Sequence, residues 1–183
     1  MPRQITIQTS RNIWAIVGRQ TNCFHSKFEL FVAVYYELLK KSGYIKDWQY
    51  EPRKFLFYGS DIPKRFKGKE SGVRNYTPDF LITNPDESTY WVETKGYMDS
   101  RSFTKISCFF KYYPDETIKV LMQRYPKPKN VKAFNTCRKL EQMGIDVKNF
   151  SDNIKKIKSL VCSMATLIEK PVKDKSNGKK TKA

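Results

Sequence analysis

The sequence predicts an α/β fold: a mixed central sheet flanked by helices, with strands before the core and a basic tail after it. Three observations carry that expectation. Segments with helical periodicity alternate with short β-rich runs along most of the chain. An apolar fraction of 39%, with 14% aromatics over 183 residues, suffices to bury the core of one domain. Beyond Pro171 the patterning gives way to lysine.

The elements follow in order. Residues 1–22 form an N-terminal arm with two strand-like runs, Ile5-Thr6-Ile7 and Ile13 to Val17. The core spans 23–150. From Ser26 to Lys41, the residues Phe28, Phe31, Val32, Tyr35, Leu38 and Leu39 recur at the three- and four-residue steps of a helix. Ser26 with Glu29 fits a capping box at its start, and Gly43 a stop at its end. Strands are expected over Ile45 to Tyr50 and Lys54 to Tyr58, interrupted at Pro52. Gly59 to Asn75 reads as a long basic loop, which its length marks as functional. Asp79 to Thr83 and Thr89 to Lys95 form a hairpin across Asn84-Pro85-Asp86-Glu87-Ser88. Asp99 or Ser100 caps a helix running to about Tyr113, which Pro114 closes. A buried strand, Thr117 to Met122, precedes a proline-bearing loop, a helix over Val131 to Met143, and a short strand, Ile145 to Val147. Residues 151–170 hold an amphipathic helix, Asp152 to Ile168, whose stripe is Ile154, Ile157, Leu160, Val161, Met164 and Ile168. Residues 171–183 are a basic tail expected to be disordered.

Charge narrows the partner. With 35 Lys+Arg against 18 Asp+Glu, the net charge is +17, which favours a polyanion through counterion release at phosphates. Local clusters lie at Lys64, Arg65, Lys67 and Lys69, and in the tail at Lys173, Lys175, Lys179, Lys180 and Lys182. No apolar run approaches the ~20 residues that span a bilayer, and no signal-peptide core opens the chain. A cytoplasmic protein with no membrane partner is therefore expected. Four scattered cysteines without a C-x-x-C pair, and a single histidine, His25, exclude a zinc finger and a dense disulfide framework. Any metal must sit on carboxylates.

The chemistry concentrates in Tyr76-Thr77-Pro78-Asp79-Phe80-Leu81 and Trp91-Val92-Glu93-Thr94-Lys95-Gly96. Alternate residues of a strand share a face, so Glu93 and Lys95 lie on one side of the sheet. If Thr83 pairs near Thr89, Asp79 falls opposite Glu93 or one residue away, and three charged side chains converge. Taken singly, E-x-K on a strand is usually a solvated ion pair and P-D a turn. Within one hairpin of a chain this basic, two converging carboxylates call for a cation, and Mg²⁺ with its retained waters is the natural one. The neighbouring lysine is placed to position a water or to steady charge on a phosphate.

These motifs, in their order, resemble the PD-(D/E)xK nuclease superfamily, and within it the phage endonuclease I type of Holliday-junction resolvase. The matching pieces are Ser26-Lys27-Phe28-Glu29, the two stretches above, Ser100-Arg101 opening the next helix, and Tyr113-Pro114 before Ile118-Lys119-Val120. The resemblance covers roughly Cys23 to Phe150. It implies an αβββαβ nuclease core in which Asp79 and Glu93 bind a metal with the Thr94 carbonyl, and Lys95 is the catalytic lysine. Glu29 would reach the site from the first helix and help hold a second ion, in competition with its capping role. Mg²⁺ would be the cofactor, with Mn²⁺ as a substitute. DNA contacts are expected from Ser26, Lys64, Arg65, Lys67, Lys69 and Arg101, with His25 beside Ser26 at the helix start. Resolvases of this type are homodimers that exchange N-terminal strands and act on branched DNA, in the host cytoplasm when phage-encoded. The loop from Gly59 to Asn75 is longer and more basic than the resemblance leads one to expect. Two alternatives stay open: a nicking or double-strand endonuclease of a mobile element, and a non-catalytic basic protein that binds nucleic acid.

Overall fold

The computed structural model describes residues 12–58 and 73–168, a mixed α/β structure. Its first unit is a hairpin of β1 (Ile13–Val17) and β2 (Gln20–Phe24), in which Val17 pairs with Gln20 across the two-residue loop Gly18-Arg19. Gly18 has φ +62, the first-position conformation of the tight hairpin turns that glycine favours. β2 is polar and carries no apolar alternation, so only the turn and its partner make it a strand.

Helix α1 (Lys27–Lys41) starts at Ser26, whose Oγ accepts the Glu29 N–H at 3.2 Å. It ends in a Schellman motif: Tyr44 N–H bonds the Leu39 carbonyl, Gly43 N–H bonds the Lys40 carbonyl, and Gly43 has φ +74. The helix touches both the small hairpin and the central sheet, which is why Leu30, Val32, Ala33 and Val34 are all fully buried.

The central sheet runs β3 (Asp47–Tyr50), β6 (Phe80–Thr83), β7 (Thr89–Lys95), β8 (Ile118–Met122), β9 (Asp146–Asn149). The first three are antiparallel neighbours, and β7, β8 and β9 are parallel, so the sheet is mixed. Parallel pairing needs crossovers, supplied by α2 (Ser100–Tyr112) and α3 (Val131–Gln142). Alternation divides the strands between two cores. Trp48, Phe80, Ile82, Val92 and Leu121 join α1, while Trp91, Ile118, Val120, Met122 and Val147 meet Ile106 and Phe109 of α2 and Cys137 and Leu140 of α3. A separate ribbon, β4 (Phe55–Tyr58) with β5 (Val73–Tyr76), adds Phe55 and Tyr76 to the second core; the Phe55 and Phe109 rings meet edge to face at 4.7 Å.

Two expectations need correction. Residues 73–76 end the presumed loop as a strand, because β4 offers them an edge to pair with. The single helix expected over Asp152 to Ile168 is instead α4 (Ser151–Lys158), a short α5 (Val161–Met164) and β10 (Ala165–Leu167). Ser159 and Ser163 turn their hydroxyls back onto the carbonyls of Lys156 and Leu160, at 2.9 Å each, and β10 pairs antiparallel with β1. The apolar stripe is still used, since Ile157 and Val161 are buried with α1 in the first core. The Ile5 run, the cluster Lys64, Arg65, Lys67 and Lys69, and the lysine tail lie outside the described residues.

Candidate active site

The register of the β6–β7 hairpin sets the site. Thr83 pairs with Thr89 and Phe80 with Val92, so one step further Asp79 stands opposite Glu93, the first of the two placements the sequence allows. The turn is a three-residue loop, closed by Asn84 N–H to the Ser88 carbonyl at 2.8 Å, with Glu87 at φ 66. Glu87 also pairs with Lys46 on the surface.

Around that pair the chain builds a hydrogen-bonded frame. Asp79 Oδ2 accepts both the N–H and the hydroxyl of Thr94, each at 2.6 Å. Glu93, 4% exposed, accepts the Tyr76 hydroxyl on Oε2 at 2.7 Å and pairs with the Lys95 ammonium through Oε1. Burial, and then the Glu93 carboxylate, push Asp79 well above the usual carboxylate range, against the pull of Lys95. Burial draws the Lys95 ammonium down, but Glu93, Asp79 and Glu29 outweigh it and hold its pKa above the ordinary value. Lys95 is therefore a cation at neutral pH. Burial, reinforced by Glu93, likewise raises the Tyr76 phenol, which keeps it a donor.

Glu29 is turned to a different task. Its Oε1 accepts the Ser26 hydroxyl at 2.8 Å, and its Oε2 accepts the His25 N–H at 2.7 Å and the Tyr50 hydroxyl at 2.6 Å. Its oxygens are thus engaged by the helix start and by Tyr50, as those of Glu93 are by Tyr76 and Lys95, and Glu29 also acts on Asp79 and Lys95 through its field. Ser26 is occupied as the cap, and His25 stands exposed with Nδ1 3.4 Å from Glu51. Burial, with Glu29 and Glu93, raises the Glu51 carboxyl against His25. Arg101 is exposed in the first turn of α2, next to the cap at Asp99 that accepts the Ser102 N–H at 2.7 Å.

The structure thus brings Asp79, Glu93, Thr94 and Lys95 together. Among the described residues, no three His, Cys, Asp or Glu side chains group as a metal cage. Two carboxylates and a carbonyl fit Mg²⁺, which is usually held by one or two carboxylates plus waters and substrate phosphates. The chemistry of the donor set agrees, since every candidate donor is an oxygen, and no protein hydrogen bond among the described residues falls on Asp79 Oδ1. Sequence reasoning missed Tyr76, Tyr50 and the two bonds from Thr94. Tyr76 lies three residues before Asp79, and the apolar context of its ribbon was its only signal.

No protein-family model, curated protein or solved structure matches the chain.

Proposed function

We propose that the chain is a divalent-metal-dependent endodeoxyribonuclease that hydrolyses phosphodiester bonds, acting on branched DNA in the manner of a junction resolvase. The observation that carries this reading is the register that sets Asp79 opposite Glu93 with Lys95 paired to Glu93. Burying like charges this way is costly, and a structural hairpin gains nothing from it. The order α1, β3, β6, β7, α2, β8 supports an αβββαβ nuclease core with the β4–β5 ribbon inserted after its first strand. The net charge of +17 supports a DNA partner. A homodimer is part of the proposal, because cutting two strands of a junction takes two sites.

Asp79 and Glu93, with the Thr94 carbonyl, are the residues that would hold Mg²⁺. When bound, the ion supplies an acidified water and neutralises charge on the phosphate. The protein's own contribution is positional. Thr94 fixes Asp79 through two hydrogen bonds, and Tyr76 fixes Glu93, so the protein itself orients the two carboxylates. Lys95, protonated and tethered to Glu93, stabilises negative charge that grows on the transferring phosphoryl group.

Mg²⁺-dependent cutting of a four-way junction, compared with nicked and linear duplex of equal length, tests the proposal. Cleavage that Asp79→Ala abolishes while DNA binding survives is the expected result. A wild type that binds DNA without cutting any substrate in Mg²⁺ or Mn²⁺ leaves the non-catalytic reading in its place.

A further inference from the structure

The carboxyl ends of β7 and β8 open into a cleft of about 340 Å³ walled by Gly96, Tyr97, Arg124, Lys127 and Lys129 among others. Gly96 and Arg124 also line a second cleft of about 450 Å³ that adds Lys155. That cleft shares Gln123 and Ile154 with a third, of about 470 Å³, which reaches Lys158. The three form one trough that passes Gly96, the residue after Lys95. Arg124, Lys127, Lys129, Lys155 and Lys158 are exposed, and among the described residues none is ion-paired to a carboxylate. The acidic residues nearby are Asp152 in the first turn of α4, the cap Asp99, and Glu141, which accepts the hydroxyl of the lining residue Tyr125.

Tyr97 stands out in this wall because it is 53% exposed. A single exposed aromatic is ordinary, but this one is held on stiff supports. Lys95, two residues before it, is pinned by its carbonyl to the Gln123 N–H at 2.8 Å, Met98 after it is fully buried, and Asp99 caps α2. An exposed ring whose backbone is anchored on both sides, beside unneutralised cations, is the combination that binds single-stranded nucleic acid: cations follow the phosphates, and the ring stacks on a base face. In a duplex those faces are hidden by neighbouring pairs, so the ring distinguishes unpaired from paired strands.

We infer that this trough binds an unpaired DNA strand, with one base stacked on Tyr97 and its phosphates on Arg124, Lys127, Lys129 and Lys155, and so delivers branched or frayed DNA to Lys95. The inference rests on the nuclease reading for the choice of DNA as the strand. It gives the preference for branched substrates a specific residue.

The test is fluorescence anisotropy in EDTA with the full chain, using a labelled thymidine oligonucleotide and a mixed-sequence strand annealed to its complement. Tyr97→Ala weakens single-strand binding about tenfold and leaves duplex binding within about twofold, because stacking is lost and phosphate contacts remain. Tyr97→Phe keeps the ring and the affinity, whereas Tyr97→Leu keeps apolar bulk and loses affinity. Replacing Lys127, Lys129 and Lys155 by Gln flattens the single-strand salt dependence by about 0.7 per lost phosphate contact. Melting curves establish that each variant is folded. The inference is overturned if Tyr97→Ala and Tyr97→Leu bind the single strand like wild type, or if single-strand and duplex binding fall together. It is also overturned if an acidic peptide competes as well as the oligonucleotide. Cleavage in Mg²⁺ is read separately: Tyr97-dependent strand binding without cleavage removes the nuclease reading alone, and cleavage with neutral Tyr97 variants removes this inference alone.

Discussion

Asp79→Asn stabilises the metal-free protein. Asp79 and Glu93 stand directly opposite across β6 and β7, a relation that sets side chains roughly 5 Å apart. At an effective dielectric of ~20, like charges at that distance repel by about 3 kcal/mol. Losing the attraction of Lys95 returns part of this, leaving a net gain of roughly 1–2 kcal/mol at neutral pH. The two bonds from Thr94 survive, since an amide oxygen accepts them as a carboxylate does. For a chain of this size the melting temperature rises by about 2–4 °C per kcal/mol. The pH dependence follows from the direction of the Asp79 shift, which burial and then Glu93 impose. Between the unfolded pKa of about 3.9 and the raised folded value, the native protein holds a proton that the unfolded chain has released. Wild-type stability therefore falls as pH rises through that window, and the advantage of Asp79→Asn grows with it. Below about pH 4 the two proteins converge. On the proposed metal role, Mg²⁺ at 100 times its Kd stabilises wild type by about 2.7 kcal/mol and the variant far less. Thermal unfolding in EDTA across pH, repeated in Mg²⁺, is the assay. An Asp79→Asn protein that melts below wild type in EDTA, by a margin widening with pH, refutes the reasoning and makes Asp79 a structural carboxylate.

Four further outcomes are expected. Lys95→Ala melts below wild type, because buried Glu93 loses the cation it is paired with, and keeps DNA affinity while cleavage falls by orders of magnitude, which thermal unfolding and single-turnover kinetics beside a binding titration measure. Gly18→Ala costs about 2–4 kcal/mol by denaturant unfolding, since φ is +62 and the new Cβ lies 2.5 Å from the buried Glu37 carboxylate that accepts Trp48 Nε1–H. Gly43→Ala, at φ +74 with open space around it, carries only the strain of about 1–2 kcal/mol. A thiol reagent at pH 8 labels exposed Cys162 promptly and spares Cys137 until unfolding, because burial, with Glu141, pushes the Cys137 thiol up to about 11.

The hairpin that carries the site was legible because its register follows from a rigid two-residue alternation and one turn. Once Thr83 meets Thr89, Asp79 meets Glu93. α1 was legible for the same kind of reason, with local signals at both ends and a periodic face between them. β10 was not, because Ala165-Thr166-Leu167 continues a helical stripe and becomes a strand only when the distant edge of β1 pairs with it. Glu29 shows the limit differently. The capping box and the metal role asked for the same carboxylate, and the hydroxyl of Tyr50, 21 positions along the chain, engages the oxygen that Ser26 leaves to the His25 N–H. Tyr76 was invisible as a site residue because a buried tyrosine in an aromatic ribbon looks like packing until its hydroxyl is traced to Glu93.

The pairing of β10 with β1 joins Ala15 to Leu167 and Val17 to Ala165, nearly the whole described length apart. Such a pairing repays its loop-closure cost only after the chain between has been brought together, which places it among the slow, non-local contacts of the fold. Until β10 is in place, one edge of β1 is unpaired. That edge is a template for a foreign strand until residue 167 has cleared the ribosome. The last strand therefore acts as a latch on the kinetics of maturation, and chains interrupted before it are the ones most exposed to aggregation.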